Sequence, residues 1–309
     1  MNTLVYHSGA LGDFITILPL LETWKKLTNA NIILLGKPEH GTLAQMSGYI
    51  DETLDMDRKC QLVFFSLSDS YEIEKRLLEF SHIILFAFQN SPITINCKKY
   101  FSGSLLIQNP FPSAGIHAID YHCQLISEIL PHSDTVYPKV NIENTCLKDK
   151  SKTVVIHPGS GSSRKNWPFA KFSTLADKIR NCGYSIFWIT GPAEENLIFN
   201  QNDTLYSDLS LIDVSKVLRQ CTIYIGNDSG ITHLAAACGC AVIALFGPSD
   251  PLVWSPRGER DMTVFYKKKD CSPCHPFSIP DLTICKAECL NQISPDEVFT
   301  AFNKQLSTM

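Results

Sequence analysis

Residues 224–237 place the strongest single constraint on how this chain can fold. Two apolar residues lead into a short polar turn, and an alanine-rich segment follows: Tyr224-Ile225, then Gly226-Asn227-Asp228-Ser229-Gly230, then Ile231 to Ala237. The pattern predicts the end of a buried strand, a tight turn and the start of a helix. Such a turn directs backbone N–H groups and a helix dipole at one point, where an anion such as a diphosphate is stabilised. An ordinary N-cap, with Asp228 or Ser229 accepting from helix N–H groups, explains the same residues, so both interpretations stay open.

Strand and helix patterns alternate along the whole chain. Strands are predicted over 3–7, 31–36, 82–88, 153–157, 184–190 and 241–246, and helices over 14–26, 116–130, 169–181, 214–219 and 294–306. Pro19 lies inside the first helical pattern and predicts a kink or a local break. The alternation predicts an α/β fold with parallel, doubly wound sheets. Because the polar segment 134–152 interrupts it, we predict two domains, residues 1–150 and 151–309.

Composition limits the classes of partner and location. The net charge of -4 argues against a dedicated nucleic-acid binder. No apolar run approaches the ~20 residues that a membrane-spanning helix needs. Residues 3–7 begin a strand pattern with no basic segment before it, so we expect no secretory signal and a cytoplasmic location. The cysteines scattered between Cys60 and Cys240 are then expected to be reduced.

The first strand pattern leads into the turn Gly9-Ala10-Leu11-Gly12-Asp13. Gly9 and Gly12 allow a tight backbone and the close approach of a ligand. Asp13 at the helix start is either a general base or a first-turn carboxylate that the helix dipole favours. A helix N-terminus lowers the pKa of a carboxylic acid, which would make Asp13 a weaker base.

A second candidate phosphate element follows the strand at 153–157. The loop 158–163 is rich in glycine and serine and leads into Arg164-Lys165-Asn166-Trp167-Pro168. Small residues expose backbone N–H groups, and Lys165 offers a point charge for a phosphate. A solvated lysine beside a packed tryptophan is the structural alternative. Past the next strand, Glu194 and Glu195 stand where a carboxylate accepts hydrogen bonds from ribose hydroxyls, or where one favours a helix start.

The late cysteines form one cluster with a regular spacing. Cys271, Cys274, Cys285 and Cys289 follow the pattern Cys-x2-Cys-x10-Cys-x3-Cys. Four thiolates can hold a structural zinc ion tetrahedrally, although the central gap is shorter than in common zinc patterns. Free thiols or a disulfide are the alternatives.

In combination, these motifs resemble family 9 glycosyltransferases, the ADP-heptose–lipopolysaccharide heptosyltransferases. The resemblance rests on residues 9–13, 157–168, 226–233 and the run Phe246-Gly247-Pro248-Ser249-Asp250-Pro251, together with the cysteine cluster. It implies a GT-B fold: two Rossmann-like domains facing a cleft, with the acceptor bound mainly by the first and the nucleotide sugar by the second. It also implies that the terminal helix, about 294–306, packs back on the N-terminal domain.

The resemblance also implies roles for individual residues. Asp13 matches the family's proposed base, in an acceptor-side loop with Gly9 and Gly12. Lys165 resembles a lysine at the donor phosphates, and Glu194 or Glu195 resembles the acid at the ribose. The other implied donor-binding residues are Ser160, Asp228, Ser229, Gly230 and His233.

The function we predict is inverting transfer of heptose from ADP-heptose to a glycan or glycolipid acceptor, with no cofactor and no divalent metal. Lys98-Lys99 and Lys267-Lys268-Lys269 are either solvated surface or a peripheral contact with the inner membrane. Three alternatives stay open: another nucleotide-sugar transferase, a GT-B-like sugar-nucleotide epimerase, and a non-catalytic nucleotide-sugar binding module. A dinucleotide-dependent oxidoreductase is disfavoured because no complete G-x-G-x-x-G follows a strand.

Overall fold

The computed structural model describes residues 1–66, 70–127, 137–142, 152–191, 194, 196–274 and 287–309. The chain divides into two compact units, Met1–Asn141 and Ile142–Met309. The boundary predicted between residues 150 and 151 lies outside the described residues and stays a prediction.

The first unit is built on a five-stranded parallel sheet. Its strands are β1 (Asn2–His7), β2 (Asn31–Gly36), β3 (Glu52–Asp55), β4 (His82–Phe86) and β5 (Ser104–Gln108), in the order β3-β2-β1-β4-β5. Its helices are α1 (Leu11–Thr28), α2 (Pro38–Met46), α3 (Ser70–Leu77), α4 (Pro92–Tyr100) and α5 (Ala118–Ser127), with a 3-10 helix over Lys59–Phe65. The order reverses between β1 and β4, and ligands of open α/β sheets bind outside the strand carboxyl ends at such a point.

The central strand of this unit is apolar for a simple reason. Leu4 and Val5 point to opposite sides of the sheet, and both are fully buried. A strand covered on both faces needs apolar residues at consecutive positions, which is the pattern that predicted β1.

Helix α1 continues through Pro19 as one element. The local break predicted there does not occur. The residues on both sides of Pro19 explain this: the run from Phe14 to Leu21 is buried, and this packing stabilises the helix although Pro19 cannot donate the usual backbone hydrogen bond.

The second unit carries a six-stranded parallel sheet. Its strands are β6 (Thr153–His157), β7 (Ser185–Thr190), β8 (Thr204–Ser207), β9 (Ile223–Asn227), β10 (Ala241–Phe246) and β11 (Met262–Tyr266), in the order β11-β10-β9-β6-β7-β8. Its helices are α6 (Phe169–Asn181), α7 (Leu211–Leu218), α8 (Gly230–Ala237), α9 (Pro251–Trp254), α10 (Glu288–Asn291) and α11 (Pro295–Ser307), with a 3-10 turn over Ser163–Lys165. Here the strand order reverses between β6 and β9.

The terminal helix α11 packs against α6 and β10 of its own unit. Val298 and Phe302 are fully buried in that core. A capping box begins the helix, because Ser294 Oγ accepts from Glu297 N at 3.2 Å and Ser294 N donates to Glu297 Oε2 at 2.9 Å. The predicted packing of this helix on the N-terminal domain stays a prediction. Of the helices in the described ranges, none combines the length and apolarity needed to cross a bilayer.

Candidate functional site

Two loops meet where the strand order of the second sheet reverses. One follows β6 and covers 158–166, and the other follows β9 and covers 228–229. His157 and Gly226 are partners in the β6–β9 ladder, so the two loops leave the sheet side by side. This is the edge at which an open α/β sheet binds its ligand.

Asn227 ties these two loops together. Its side chain is completely buried, its Nδ2 donates to Pro158 O at 2.7 Å, and its Oδ1 accepts from Trp167 N at 2.9 Å. One amide therefore satisfies backbone groups at both ends of the loop after β6. Trp167 is buried below that loop, where its Nε1 donates to Ile293 O at 3.1 Å.

We expect Asn227→Ala to lower the free energy of unfolding by about 2–6 kcal/mol, because it leaves a buried backbone N–H and a buried carbonyl unpaired, at ~1–3 kcal/mol each. Urea unfolding followed by circular dichroism measures the change. Asn202→Ala is the matched control, since Asn202 is exposed in the same unit. A loss of unfolding free energy no larger than that of the control would contradict the stabilising role of the Asn227 side chain.

Lys165 and Asp228 form an ion pair at the centre of the site. Lys165 Nζ lies 2.7 Å from Asp228 Oδ2, and Ser249 Oγ donates to the same carboxylate oxygen. The Asp228 side chain is only 7% exposed, whereas that of Lys165 is 35% exposed. The arrangement keeps a buried carboxylate paired and holds a partly exposed ammonium beside the start of α8.

The N-terminus of α8 adds backbone donors next to this lysine. Ser229 is its N-cap, and its Oγ accepts from Thr232 N at 3.3 Å. Ser229 Oγ also lies 3.5 Å from His157 Nδ1. Burial lowers the pKa of His157 to about 4, so this imidazole is neutral near pH 7 and can accept a hydrogen bond from Ser229 Oγ. His233 is buried in the first turn of α8.

Glu194 lies against the loop that follows β6. Its Oε2 accepts from Gly191 N at 2.9 Å, and its side chain is buried. A methyl group built on Gly159 would lie 2.4 Å from Glu194 Oε1, so the backbone at 159 approaches the carboxylate as only glycine can. Glu195 lies outside the described residues.

Ser160 organises the same loop. Its Oγ lies 2.7 Å from Ser162 O and 2.6 Å from Asn166 Oδ1, and it accepts from Ser162 N at 3.3 Å. A single hydroxyl that meets three groups of its own loop fixes the loop's shape. The predicted contact of Ser160 with a donor stays a prediction.

Asp13 lies in the first turn of α1, whose N-cap is Ala10. Its Oδ2 accepts from Ala10 N at 3.0 Å, so the carboxylate satisfies the backbone N–H of the N-cap residue. A carboxylate has about four lone-pair positions, so this bond does not exclude a role as base. The side chain is half-buried at the carboxyl end of β1, the edge at which the first sheet would bind a ligand.

A buried histidine lies beside this turn and was not predicted from the sequence. A methyl group built on Gly9 would lie 2.9 Å from His7 Cε1 and 3.1 Å from Asp13 Oδ2, so both side chains flank the same glycine. Burial, then the charges of His40, His122 and Lys37, lower the pKa of His7 to about 3. Among the described residues, its buried Nδ1 has no hydrogen-bond partner.

The late cysteines are described only in part. Cys274 N donates to Pro248 O at 2.7 Å, and Cys289 Sγ would lie 3.4 Å from a methyl group on Gly247. Cys274 and Cys289 thus both approach the Gly247–Pro248 turn, whereas Cys285 lies outside the described residues. Within the described part of the chain, no three metal-ligating side chains gather closely enough to bind an ion. The zinc site, which also involves Cys271, stays a prediction.

Comparison with known proteins identifies the family. The model of glycosyltransferase family 9 (heptosyltransferase) matches residues 99–278, which is more than half of the chain. This chain belongs to glycosyltransferase family 9. Lipopolysaccharide heptosyltransferase 3 of Escherichia coli K12 is 25% identical over 165 residues, which are 47% of this chain and 48% of that protein. The alignment thus spans about half the length of this curated relative.

Solved structures share the fold of this family 9 chain. The family 9 glycosyl transferase from Veillonella parvula has a TM-score of 0.77 at 17% identity, covering 100% of this chain and 98% of its own. The E. coli ADP-heptose lps heptosyltransferase II has a TM-score of 0.73 at 16% identity, covering 100% and 99%. These likenesses confirm the predicted α/β fold class, GT-B with two doubly wound Rossmann-like sheets.

In this family 9 chain, the structure brings together several of the residues predicted for the second unit. Lys165, Asp228, Ser229 and Gly230 share one sheet edge, with Glu194 on the loop beside it. Ser249 and Asn227 were present in the motifs, but no contribution to the site was predicted for them. The polar tripeptide Pro248-Ser249-Asp250, which follows a buried strand, was the sequence signal that could have placed Ser249 in the site.

Proposed function

We propose that this chain is an inverting glycosyltransferase that moves heptose from ADP-heptose to a lipopolysaccharide core or related glycan. The observation that carries the proposal is the Lys165–Asp228 pair beside the N-terminus of α8. Family membership and the relatives' names supply the sugar: one relative is named a lipopolysaccharide heptosyltransferase and one solved structure an ADP-heptose heptosyltransferase.

On the donor side, Lys165 and the N–H groups of α8 would stabilise the diphosphate as it leaves. Asp228 is negative and would repel a phosphate, so we assign it to hold Lys165 in position instead of contacting the donor directly. The helix N-terminus then supplies positive potential in addition to the lysine. Glu194, buried beside Gly159, would accept a hydrogen bond from a ribose hydroxyl.

On the acceptor side, Asp13 would remove the proton of the attacking hydroxyl. The oxygen then bonds to the anomeric carbon from the face opposite the leaving ADP, which inverts the configuration. The proton ends on Asp13 and the bonding electrons of the broken C–O bond leave with the diphosphate. The charge on that diphosphate is met by protein groups, so no divalent metal takes part.

We further propose that the protein works in the cytoplasm, in peripheral contact with the inner membrane, where a lipid-linked acceptor is found. Two lysines of the second run are already paired, because Lys267 Nζ lies 2.5 Å from Glu297 Oε1 and Lys269 Nζ lies 3.9 Å from Glu288 Oε2. Each of these charges is paired on its own unit. In the first run, Lys98 Nζ donates to Gln89 Oε1 at 2.6 Å, which leaves the lysine its full charge for an anionic headgroup.

Titration calorimetry with ADP, UDP and GDP tests the donor site. We expect ADP to bind at least tenfold more tightly than the other two, and its Kd to be the same with magnesium and with a chelator. A preference for UDP or GDP would contradict ADP-heptose as the donor. A strict magnesium requirement would contradict a diphosphate site that works without a metal.

A further inference from the structure

Two large aromatic side chains are exposed next to each other on the first unit. Phe88 is 46% exposed and Phe111 is 47% exposed, and their ring centroids are 5.9 Å apart with planes inclined at 49°. A single exposed apolar residue needs no explanation, but two adjoining rings form a contiguous apolar surface.

The pair lies at the edge where the first sheet would bind a ligand. Phe88 follows the end of β4 and Phe111 follows the end of β5. Strands β1 and β4 are neighbours at the point where the strand order reverses, and Asp13 follows the end of β1. The two phenylalanines and the proposed base therefore all follow strand ends at the same edge of one parallel sheet.

The loops that carry the two rings are held in place. Ala87 N donates to Gln108 O at 3.0 Å, so the ends of β4 and β5 are joined just before the loops begin. Ser91 N donates to Phe88 O at 3.1 Å, and Phe111 N donates to Asn109 Oδ1 at 2.9 Å. A pre-organised pair loses little conformational entropy when a ligand covers it.

Three exposed amide side chains lie close to the two phenylalanines in sequence. Gln89 and Asn90 directly follow Phe88, and Asn109 precedes Phe111 by two residues. Gln89 Oε1 already accepts from Lys98 Nζ and Asn109 Oδ1 from Phe111 N, so these two amides offer mainly their N–H donors. An apolar surface with exposed amides on the same loops matches a sugar ring, which has C–H faces and a rim of hydroxyls.

We propose that Phe88 and Phe111 form a stacking platform for a sugar ring of the acceptor glycan. The proposal rests on the proposed function and adds to it the residues that bind the acceptor away from the reacting hydroxyl. The platform sets acceptor affinity and specificity, and takes no part in the chemical step. A lipid acyl chain is the competing occupant, and the experiment below distinguishes it from a sugar ring.

Calorimetry without donor tests the platform. A de-acylated, heptose-free core oligosaccharide is titrated into the full chain and its variants, so the result does not depend on transfer. We expect Phe88→Ala and Phe111→Ala each to raise the Kd by about five- to tenfold, the scale of a lost aromatic contact. Phe88→Trp should keep or improve affinity. Tyr71→Ala is the matched control, since Tyr71 is 71% exposed elsewhere in the same unit and should change nothing.

Each outcome supports or overturns the platform. An unchanged Kd in both alanine variants, or no oligosaccharide binding by the parent chain, would overturn it. If the alanine variants lost binding to phosphatidylglycerol vesicles but kept their oligosaccharide affinity, the two rings would be a membrane contact, and the sugar platform would be wrong. ADP affinity is measured on the same samples. If the parent chain binds ADP but the alanine variants keep full oligosaccharide affinity, the platform fails and the proposed function stands. If the parent chain does not bind ADP, the proposed function fails, whatever the oligosaccharide titration shows.

Discussion

Asp13→Asn is expected to lower kcat by about 10²–10⁴-fold, the usual contribution of a positioned general base, with ADP affinity unchanged. Asparagine keeps an oxygen that can accept from Ala10 N, as Asp13 Oδ2 does at 3.0 Å, so the helix cap is retained. The loss of kcat therefore reports the role of the carboxylate as a base, separately from its role in the helix cap.

The matched control is Glu297→Gln. Glu297 occupies the same third position of a helix, and its Oε2 accepts from Ser294 N at 2.9 Å. Losing that carboxylate should reduce stability slightly and leave kcat within twofold. If Asp13→Asn also stayed within a few-fold of the parent kcat, Asp13 would be a structural cap and the acceptor would need another base.

Lys165→Met is expected to lower kcat by about 10²–10³-fold, as for removal of one donor to a developing anion. The same change leaves the nearly buried Asp228 carboxylate without its cation, which also destabilises the fold. The double variant Lys165→Met with Asp228→Asn removes that second effect. We expect the double variant to recover stability while remaining inactive.

Lys178→Met is the control for the loss of an ordinary surface ion pair. Lys178 Nζ lies 2.9 Å from Asp296 Oδ1, and the Asp296 side chain is 80% exposed. This variant should leave both stability and kcat close to the parent values, because an exposed pair contributes only about 0–1 kcal/mol. Recovery of activity in the double variant would show that Lys165 acts only by neutralising Asp228.

The elements that the sequence predicted well are long or completely buried. The bounds of β10 and α6 agree with the prediction, because a continuous apolar run and a clear helical period define them. The strands β3 and β8 were not predicted. Both have four residues, and neither contains a buried residue, so their sequences carry little apolar signal.

The site was predictable as separate motifs but not as a connected arrangement. Lys165 and Asp228 are far apart in sequence, and only the parallel order of β6 and β9 brings their loops together. That order depends on how the strands pair, which no local pattern encodes. His7 escaped prediction for the opposite reason, since a histidine at the end of a buried strand has no distinctive spacing.

Mass spectrometry of the acceptor after incubation with ADP-heptose is the most direct test of the proposed heptose transfer. We predict that a heptose-free core oligosaccharide gains the mass of one heptose and that one ADP is released for each transfer. ADP release without an acceptor, or rearrangement of the donor with the acceptor unchanged, would contradict transfer and favour an epimerase or hydrolase on the same fold.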